Sequence, residues 1–151
     1  MNTTLSKWSL FQKTMNAEPL GFDVARRGDW DMLTVLMSPR TDLEEKNAKG
    51  PTLLMLAAYH GHLEMTQKLL ALGANPNSID QSGNSILMGV AFKGHTAVAQ
   101  ALLQGGARPE YANAHGQTAA DFAQMFGHGT VAESLKAWGR YIKVRLIKGE
   151  R

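Results

Sequence analysis

Several features that would signal particular chemistries are missing from this 151-residue sequence. It contains no cysteine, which excludes disulfide bonds, thiol catalysis and zinc sites with cysteine ligands. No stretch approaches the roughly 18 uninterrupted apolar residues that a membrane-spanning helix needs. The N-terminal stretch MNTTLSKWSLFQ has one lysine and no continuous apolar core, so it does not resemble a signal peptide. We therefore expect a cytoplasmic protein that does not contact a membrane.

The short motifs that carry catalysis are also absent. There is no nucleophile elbow, no glycine-rich phosphate-binding loop and no His-Glu-x-x-His metal motif. His115, Thr118 and Asp121 lie close together in the sequence, but a nucleophile also needs an oriented base and a pocket that excludes water. We expect no enzymatic activity, no metal and no cofactor.

The composition is that of a folded chain, with 44% hydrophobic and 19% charged residues. The formal net charge of +3 is concentrated in the last segment, 140–151, where the only acidic residue is Glu150. The basic residues of this tail are Arg140, Lys143, Arg145, Lys148 and Arg151. The tail suggests an alternative function, the binding of nucleic acid or another anionic polymer or surface. Its sequence is compatible with an extended arm, a short strand or the last turns of a helix.

A period of 33 residues organises the rest of the chain. The residues that recur at this interval are Gly50, Gly83 and Gly116; Gly61, Gly94 and Gly127; Gly73, Gly106 and Gly139; and His62, His95 and His128. A fixed period of this length is typical of a solenoid, in which each repeat buries its apolar face against its neighbours. The histidines are separated by about one repeat width, roughly 10 Å, and so cannot converge on one metal ion. We interpret them as structural residues at helix starts.

Each full repeat contains two helical segments and a polar turn. Thr52–Tyr59 carries small and apolar side chains on one side, which allow a second helix to pack closely. Gly61 interrupts this helix, and His62–Leu72 forms the second helix before Gly73 ends it. The polar residues that follow favour a tight turn. The sequence predicts an all-α fold in which helix, turn, helix and turn alternate.

The repeats divide a single domain into consecutive segments. We predict an N-terminal cap over 1–17, a degenerate repeat over 18–46, repeats over 47–79, 80–112 and 113–139, and the basic tail over 140–151. The degenerate repeat aligns with the others through Ala25 and Gly28. The cap is predicted to be a short helix with Leu5, Trp8 and Phe11 on one side, because a terminal repeat must cover its apolar face. A recognition helix that presents Trp8 is the alternative.

These recurring residues resemble the ankyrin repeat. Where the family has Gly, Thr-Pro-Leu-His, Ala-Ala, Gly-His, Leu-Leu and Gly-Ala, the first clear repeat has Gly50, Thr52-Leu53-Leu54-Met55, Ala57-Ala58, Gly61-His62, Leu69-Leu70 and Gly73-Ala74. The next repeats match the same positions in part, and Thr118-Ala119-Ala120-Asp121 resembles the last repeat of many members. The resemblance implies an ankyrin repeat solenoid of about four helix-turn-helix repeats with terminal capping segments. Phrases such as LMLAAYHGH are similar to bacterial ankyrin proteins.

The repeats depart from the family pattern at two positions. No proline follows Thr52, Ser85 or Thr118. The residues that replace the family's histidine are Met55, Met88 and Asp121. In the family this histidine helps to bond the turns of neighbouring repeats. We expect packing to substitute for that bond here and the array to be less rigid.

The resemblance also assigns a binding surface. In ankyrin proteins, the two residues before the helix-breaking glycine face the concave groove, together with the tips of the turns. The candidate partner-binding residues at these positions are Arg26, Arg27, Lys49, Tyr59, His60, Ile79, Gln81, Asn84, Phe92, Lys93, His115, Met125 and Phe126. They include the aromatic, methionine and arginine side chains that are enriched at protein interfaces. The alternative is that Phe92 and Phe126 pack between helices as part of the core.

The resemblance therefore implies a monomeric, non-catalytic protein–protein interaction module. We expect it to act as an adaptor or inhibitor that binds another protein through the groove and the turn tips. Binding of an anionic polymer through the basic tail is the alternative function.

Overall fold

The computed structural model describes residues 20–149. Within this range the chain forms eight α-helices and no strand beyond an isolated bridge between Ile79 and Ser85. The helices are α1 (Leu20–Arg27), α2 (Trp30–Leu36), α3 (Leu53–Tyr59), α4 (Leu63–Ala71), α5 (Ile86–Lys93), α6 (Thr96–Gln104), α7 (Ala119–Met125) and α8 (Gly129–Ile147). The prediction of an all-α repeat fold is confirmed. The predicted N-terminal cap over 1–17, with Trp8, lies outside the described residues.

The helices form four pairs that stack in two layers. The first helices of the pairs, α1, α3, α5 and α7, pack one against the next and form the first-helix layer. The second helices α4, α6 and α8 pack in the same way and form the second-helix layer. The hydrophobic core is continuous between the layers and includes Leu54, Leu69, Leu87 and Leu102, which are almost completely buried. Each repeat is therefore stabilised mainly by its sequence neighbours.

The first helices begin at a serine or threonine because its hydroxyl satisfies a backbone donor of the first turn. The hydroxyls of Thr52, Ser85 and Thr118 accept hydrogen bonds from the backbone N–H three residues later, at 3.2–3.3 Å. In α7 the bond is reciprocal, since the carboxylate of Asp121 accepts from the backbone N–H of Thr118 at 2.8 Å. In α5 the reciprocal acceptor is the sulfur of Met88, at 3.4 Å, which is a weaker acceptor.

The repeated Gly-His pairs join neighbouring repeats. Each histidine is the N-cap of a second helix, and its ring lies against the glycine of the preceding repeat. These contacts are His62 on Gly28, His95 on Gly61 and His128 on Gly94. The Nε2 atoms of His62 and His128 donate to the carbonyls of Arg26 and Phe92, at 2.6 and 3.0 Å. The interpretation of this histidine series as structural is confirmed.

Small side chains in the first-helix layer allow adjacent repeats to approach closely. Ala58 and Ala91 are completely buried between neighbouring first helices. Gln124 occupies the same position in the next repeat and is exposed. A polar residue is compatible with this position because no further helix packs on that side of α7 within the described part of the chain.

Hydrogen bonds from polar side chains link the turns of neighbouring repeats. The side-chain amide of Asn113 donates to the amide oxygen of Asn84 at 3.0 Å, and the Tyr111 hydroxyl donates to the Gly83 carbonyl at 2.9 Å. As expected, Met88 is buried in the hydrophobic core and Met55 packs against it, and these hydrogen bonds join the turns in addition. Asparagine and tyrosine side chains carry polar groups that reach the neighbouring turn, so the turns remain linked without that histidine.

Gly139 does not end a helix, unlike the two glycines that precede it in its series. Gly73 and Gly106 adopt φ values of 96° and 98° just after α4 and α6, and a proline follows three residues later in each case. Gly139 lies inside α8, which continues to Ile147, and Ile142 stands where the other repeats have proline. Without a residue that interrupts the backbone hydrogen bonds, the helix continues. The conformation of the basic tail is thus helical as far as Ile147.

Candidate protein-binding groove

Aromatic side chains from three successive repeats meet at the C-terminal ends of the first helices. The rings of Tyr59 and Phe92 stack with a centroid distance of 6.4 Å and an interplanar angle of 7°. Phe92 and Phe126 meet edge to face at 4.5 Å. We call Tyr59, Phe92 and Phe126 the aromatic row. Both geometries are among those that aromatic pairs prefer, so the row is a defined surface feature.

The aromatic row is accessible to solvent. Phe92 is 38% exposed and Phe126 is 45% exposed, whereas Tyr59 is half-buried. The alternative that Phe92 and Phe126 form part of the core is therefore wrong. Phe92 contacts the rings of Tyr59 and Phe126 in the two neighbouring repeats, and part of each phenylalanine remains exposed to solvent.

A cleft of about 200 Å³ lies beside the aromatic row. Its walls include Tyr59, Phe92 and Phe122, and Gly89 of α5 lies between them. We call it the Gly89 cleft. Gly89 and Phe122 were not among the candidate residues predicted from the sequence. The signal that would have found them is their shared position in the repeat, where the residues are Leu56, Gly89 and Phe122.

Positive groups surround His60 at one end of the aromatic row. Partial burial lowers the pKa of His60, and the nearby positive charges of His62, Lys93 and Arg26 lower that pKa further. The Nζ of Lys93 also lies 5.4 Å from the centroid of the Tyr59 ring, within the range of a cation–π interaction. Four of the predicted groove residues, Arg26, Tyr59, His60 and Lys93, are thus near one another.

The turn tips carry five more of the predicted residues in defined positions. Asn47, Asp80 and Asn113 each accept, through a side-chain oxygen, the backbone N–H two residues later, at 2.8–3.0 Å. These bonds shape the tips that present Lys49, Gln81 and His115, all of which are exposed.

Two of the tip residues also have structural contacts. Ile79 is 38% exposed, and its carbonyl accepts a hydrogen bond from the Nζ of Lys46 at 3.1 Å. Asn84 is half-buried and its side chain is bonded to Asn113. Asn84 therefore links two turns, and a partner would reach it only in part.

Arg27 and Met125 each have a side-chain contact of their own. Arg27 forms an exposed salt bridge with Asp23, at 3.1 Å on the same helix. Met125 is 62% exposed, and its sulfur accepts a weak hydrogen bond from the amide of Gln117 at 3.6 Å. Neither contact prevents binding, since an exposed ion pair contributes only about 0–1 kcal/mol.

The C-terminal half of α8 forms a second exposed surface with mixed character. Leu146 and Ile147 are 73% and 85% exposed. The guanidinium of Arg145 lies over the Tyr141 ring, 5.6 Å from its centroid. Among residues 20–149, no helix has the length and apolar character needed to cross a membrane. The same residues contain no group of three His, Asp or Glu side chains placed to hold a metal ion.

Comparison with known proteins identifies the repeats. A family model described as "Ankyrin repeats (3 copies)" matches residues 22–113 and, in a second match, residues 54–145. Human Ankyrin repeat domain-containing protein 29 is 38% identical over 68 residues, which is 44% of this chain and 23% of that protein. Its counterpart from Danio rerio is 42% identical over 57 residues, or 37% of this chain and 19% of that protein.

A third relative carries a different name. The Probable E3 ubiquitin-protein ligase XBOS33 of Oryza sativa subsp. japonica is 35% identical over 80 residues, or 53% of this chain and 15% of that protein. The chain thus spans less than a quarter of the length of these curated relatives. All three are eukaryotic, so the similarity to bacterial members stays a prediction. Ankyrin repeats are generally non-catalytic protein–protein interaction modules, and the matches over most of its length show that this chain belongs to the ankyrin repeat family.

Proposed function

We propose that this chain is a non-catalytic adaptor or inhibitor that binds a partner protein through the aromatic row and the neighbouring turn tips. We also propose that the protein is monomeric and cytoplasmic and that it needs no cofactor. Its repeats are proposed to have the bounds predicted from the sequence. One observation carries the proposal of partner binding. Aromatic side chains from three repeats form an exposed surface at the ends of helices whose other faces are buried in the core.

Physical chemistry explains why such a surface favours binding. Burial of a large apolar side chain in a partner contributes about 1.5–3 kcal/mol by the area removed from water. Aromatic residues are also enriched among the few interface residues that carry most of the binding energy. The row is held in place by its ring–ring contacts, so that little side-chain entropy remains to be lost on binding.

The proposal is tested by affinity capture from an extract of cells that express the protein. Wild-type chain, the double variant Tyr59→Ala/Phe92→Ala and a chain truncated before Tyr141 serve as baits, and captured proteins are identified by mass spectrometry. The double variant is expected to lose the specific partner, because two anchors worth about 1.5–3 kcal/mol each are removed. The truncated chain is expected to retain it.

A matched control separates the groove from general surface hydrophobicity. The variant Val35→Ala/Leu72→Ala also removes two exposed apolar side chains. Val35 lies in α2, and Leu72 lies at the C-terminal end of α4. This control is expected to capture the partner as the wild type does. Loss of the partner on truncation but not in the Tyr59→Ala/Phe92→Ala variant would contradict the proposal.

One observation favours the alternative function through the tail. Lys136, Arg140 and Lys143 of α8 line the same surface depression, at positions that share one side of the helix. Three cations in this arrangement suit an anionic polymer, and binding to such a ligand falls steeply as salt concentration rises. Capture that depends on these three cations and disappears between 50 and 200 mM salt, roughly the range over which phosphate contacts weaken, would support this function instead.

A further inference from the structure

Gly89 is out of place in a helix unless it has a specific role. It lies in the middle of α5 and does not have a positive φ, so its backbone conformation does not require glycine. A glycine inside a helix destabilises the helix relative to alanine. The preceding repeat has Leu56 at this position and the following repeat has Phe122. The missing side chain therefore creates local space at a cost in helix stability.

The space is occupied in part by Tyr59 and otherwise open. A Cβ atom added to Gly89 would lie 3.2 Å from Cδ2 of the Tyr59 ring, a contact that forces the ring to shift. The Gly89 cleft has a volume of about 200 Å³. An engineered apolar cavity of about 150 Å³ holds a benzene molecule. The cleft is thus large enough for one leucine, methionine or phenylalanine side chain.

The walls of the cleft suit an apolar side chain. Tyr59, Phe92 and Phe122 supply aromatic surface, and Met55 and Met88 supply flexible thioether side chains. Methionine adapts its shape to irregular apolar ligands, while the rings provide fixed walls. Phe92, which lines the cleft, is also partly exposed to solvent.

The charges near the cleft indicate what flanks that apolar side chain. Lys93 lies against the Tyr59 ring, and Arg26, Lys93 and His62 all act electrostatically on His60. Asp80 at the other rim already accepts hydrogen bonds from the backbone N–H groups of Ser82 and Asn84, at 2.8 and 2.9 Å. The positive side of the cleft complements carboxylates on a partner, and such complementarity sets specificity and register.

We propose that the groove binds an acidic segment of a partner protein, one large apolar side chain of which enters the Gly89 cleft while flanking carboxylates face Lys93, His60 and Arg26. This inference rests on the proposed function and specifies the chemistry of the partner. Asp or Glu on both sides of a single Leu, Ile, Met or Phe is the minimal pattern that satisfies the cleft and the surrounding charge.

The test uses a phage-displayed library of random dodecapeptides, selected on the immobilised full-length chain. Enriched peptides are synthesised and titrated against variants by fluorescence anisotropy. They are expected to contain one large apolar residue with acidic neighbours. Gly89→Leu fills the cleft with the residue type that the preceding repeat has at Leu56. This variant is expected to bind the peptides about 10- to 100-fold more weakly. Lys93→Glu is expected to weaken it roughly fivefold or more.

Two further variants keep the test decisive. Gly139→Leu makes the same substitution inside α8, where an added Cβ meets nothing within 4 Å, and is expected to leave peptide binding unchanged. Gly89→Ala favours the helix but crowds Tyr59, so it is expected to weaken binding even if Gly89→Leu fails to fold.

Three results would overturn the inference: enriched peptides without acidic residues, equal affinity for the wild type and both Gly89 variants, or no enrichment at all. If enriched peptides bind the Gly89 variants normally but lose affinity for Tyr59→Ala/Phe92→Ala, the proposed function stands and only the cleft and its acidic ligand are rejected. If no peptide is enriched, the peptide inference fails, and the capture comparison with the Tyr59 and Phe92 variants decides the proposed function separately.

Discussion

At the scale of single residues, the glycines and histidines that recur every 33 residues stabilise the turns and the contacts between neighbouring repeats. Gly61 has a φ of 79° and lies against the ring of His95, so it meets both a backbone and a packing requirement. Gly127 has nearly the same φ, 78°, but nothing lies within 4 Å of the position of its missing Cβ. A comparison of substitutions at the two glycines therefore distinguishes the effect of backbone strain from the effect of contact with the next repeat.

We predict that Gly127→Ala lowers the free energy of unfolding by about 1–2 kcal/mol and that Gly61→Ala lowers it by about 1 kcal/mol more. Strain in the left-handed conformation accounts for about 1–2 kcal/mol in either variant. The remainder at Gly61 arises because the new methyl group displaces the His95 ring. Urea unfolding followed by circular dichroism measures both values. Equal losses would show that the Gly-His contact does not stabilise the stack.

Most of the repeat scaffold was predictable at this scale, whereas the cleft was not. Gly61 and His62 recur, and each recurrence in sequence returns in space because each repeat packs in the same way on the next. The positions of Tyr59 and Phe92 followed from the resemblance to ankyrin repeats. Gly89 differs from Leu56 and Phe122 at the same position of the neighbouring repeats, but this difference alone does not show that a cleft lies beside it. Only the placement of the Tyr59 ring reveals the space beside Gly89.

At the scale of secondary-structure elements, the ends of the helices determine their stability. Helix α7 is seven residues long and would be unstable alone, so its N-terminal hydrogen bonds matter. Backbone and side-chain hydrogen bonds from Thr118 lower the pKa of Asp121. The folded state therefore favours the carboxylate form more than the unfolded state does.

We predict that Thr118→Ala lowers the free energy of unfolding by about 1 kcal/mol at pH 7 through loss of this cap. Because the pKa of Asp121 is lowered in the folded state, its stabilising effect is complete above its ordinary value of 3.8 and is lost as the pH falls through the lower folded value. The difference in the free energy of unfolding between Thr118→Ala and the wild type should therefore become smaller as the pH falls below 3.8. Thermal unfolding between pH 7 and pH 3 measures it, and a constant difference would show that the Thr118 hydroxyl does not stabilise the Asp121 carboxylate.

The conformation of the long last helix, α8, could be predicted from the sequence only in part. Trp138 of α8 is half-buried against the hydrophobic cluster. After Gly139 the apolar and basic residues alternate only loosely, so the period does not decide between an extended arm, a short strand and a helix. The structure extends α8 because no proline or turn-forming residue interrupts its hydrogen bonds before Gly149.

We predict that removal of residues 141–151 changes the free energy of unfolding by no more than about 1 kcal/mol. Most side chains of the described part of this segment are exposed, and little apolar area is uncovered when they are removed. The same urea titration of the truncated chain provides the value. A loss above about 3 kcal/mol would mean that the end of α8 is a structural cap. Its truncation would then no longer serve as a neutral control for binding.

At the scale of the whole molecule, the residues that stabilise the fold and the residues proposed to bind a partner occupy different positions of the repeat. The core between the layers uses the positions that repeat every 33 residues, and the period, the helical pattern and the resemblance to ankyrin repeats together made the fold predictable. The surface at the ends of the first helices uses positions that differ between repeats, such as His60, Lys93 and Phe126. No sequence rule specifies what such a combination binds, so the ligand is inferred from exposure, shape and charge.

The most direct test of the groove as the binding site is a titration of the captured partner with purified chains by isothermal calorimetry. The wild type, Val35→Ala/Leu72→Ala and Tyr59→Ala/Phe92→Ala are compared at the same pH and salt, with folding verified by circular dichroism. Loss of two buried aromatic anchors is expected to weaken binding at least about 100-fold, while the control binds within about twofold of the wild type. Equal affinities for the wild type and Tyr59→Ala/Phe92→Ala would contradict binding through the aromatic row.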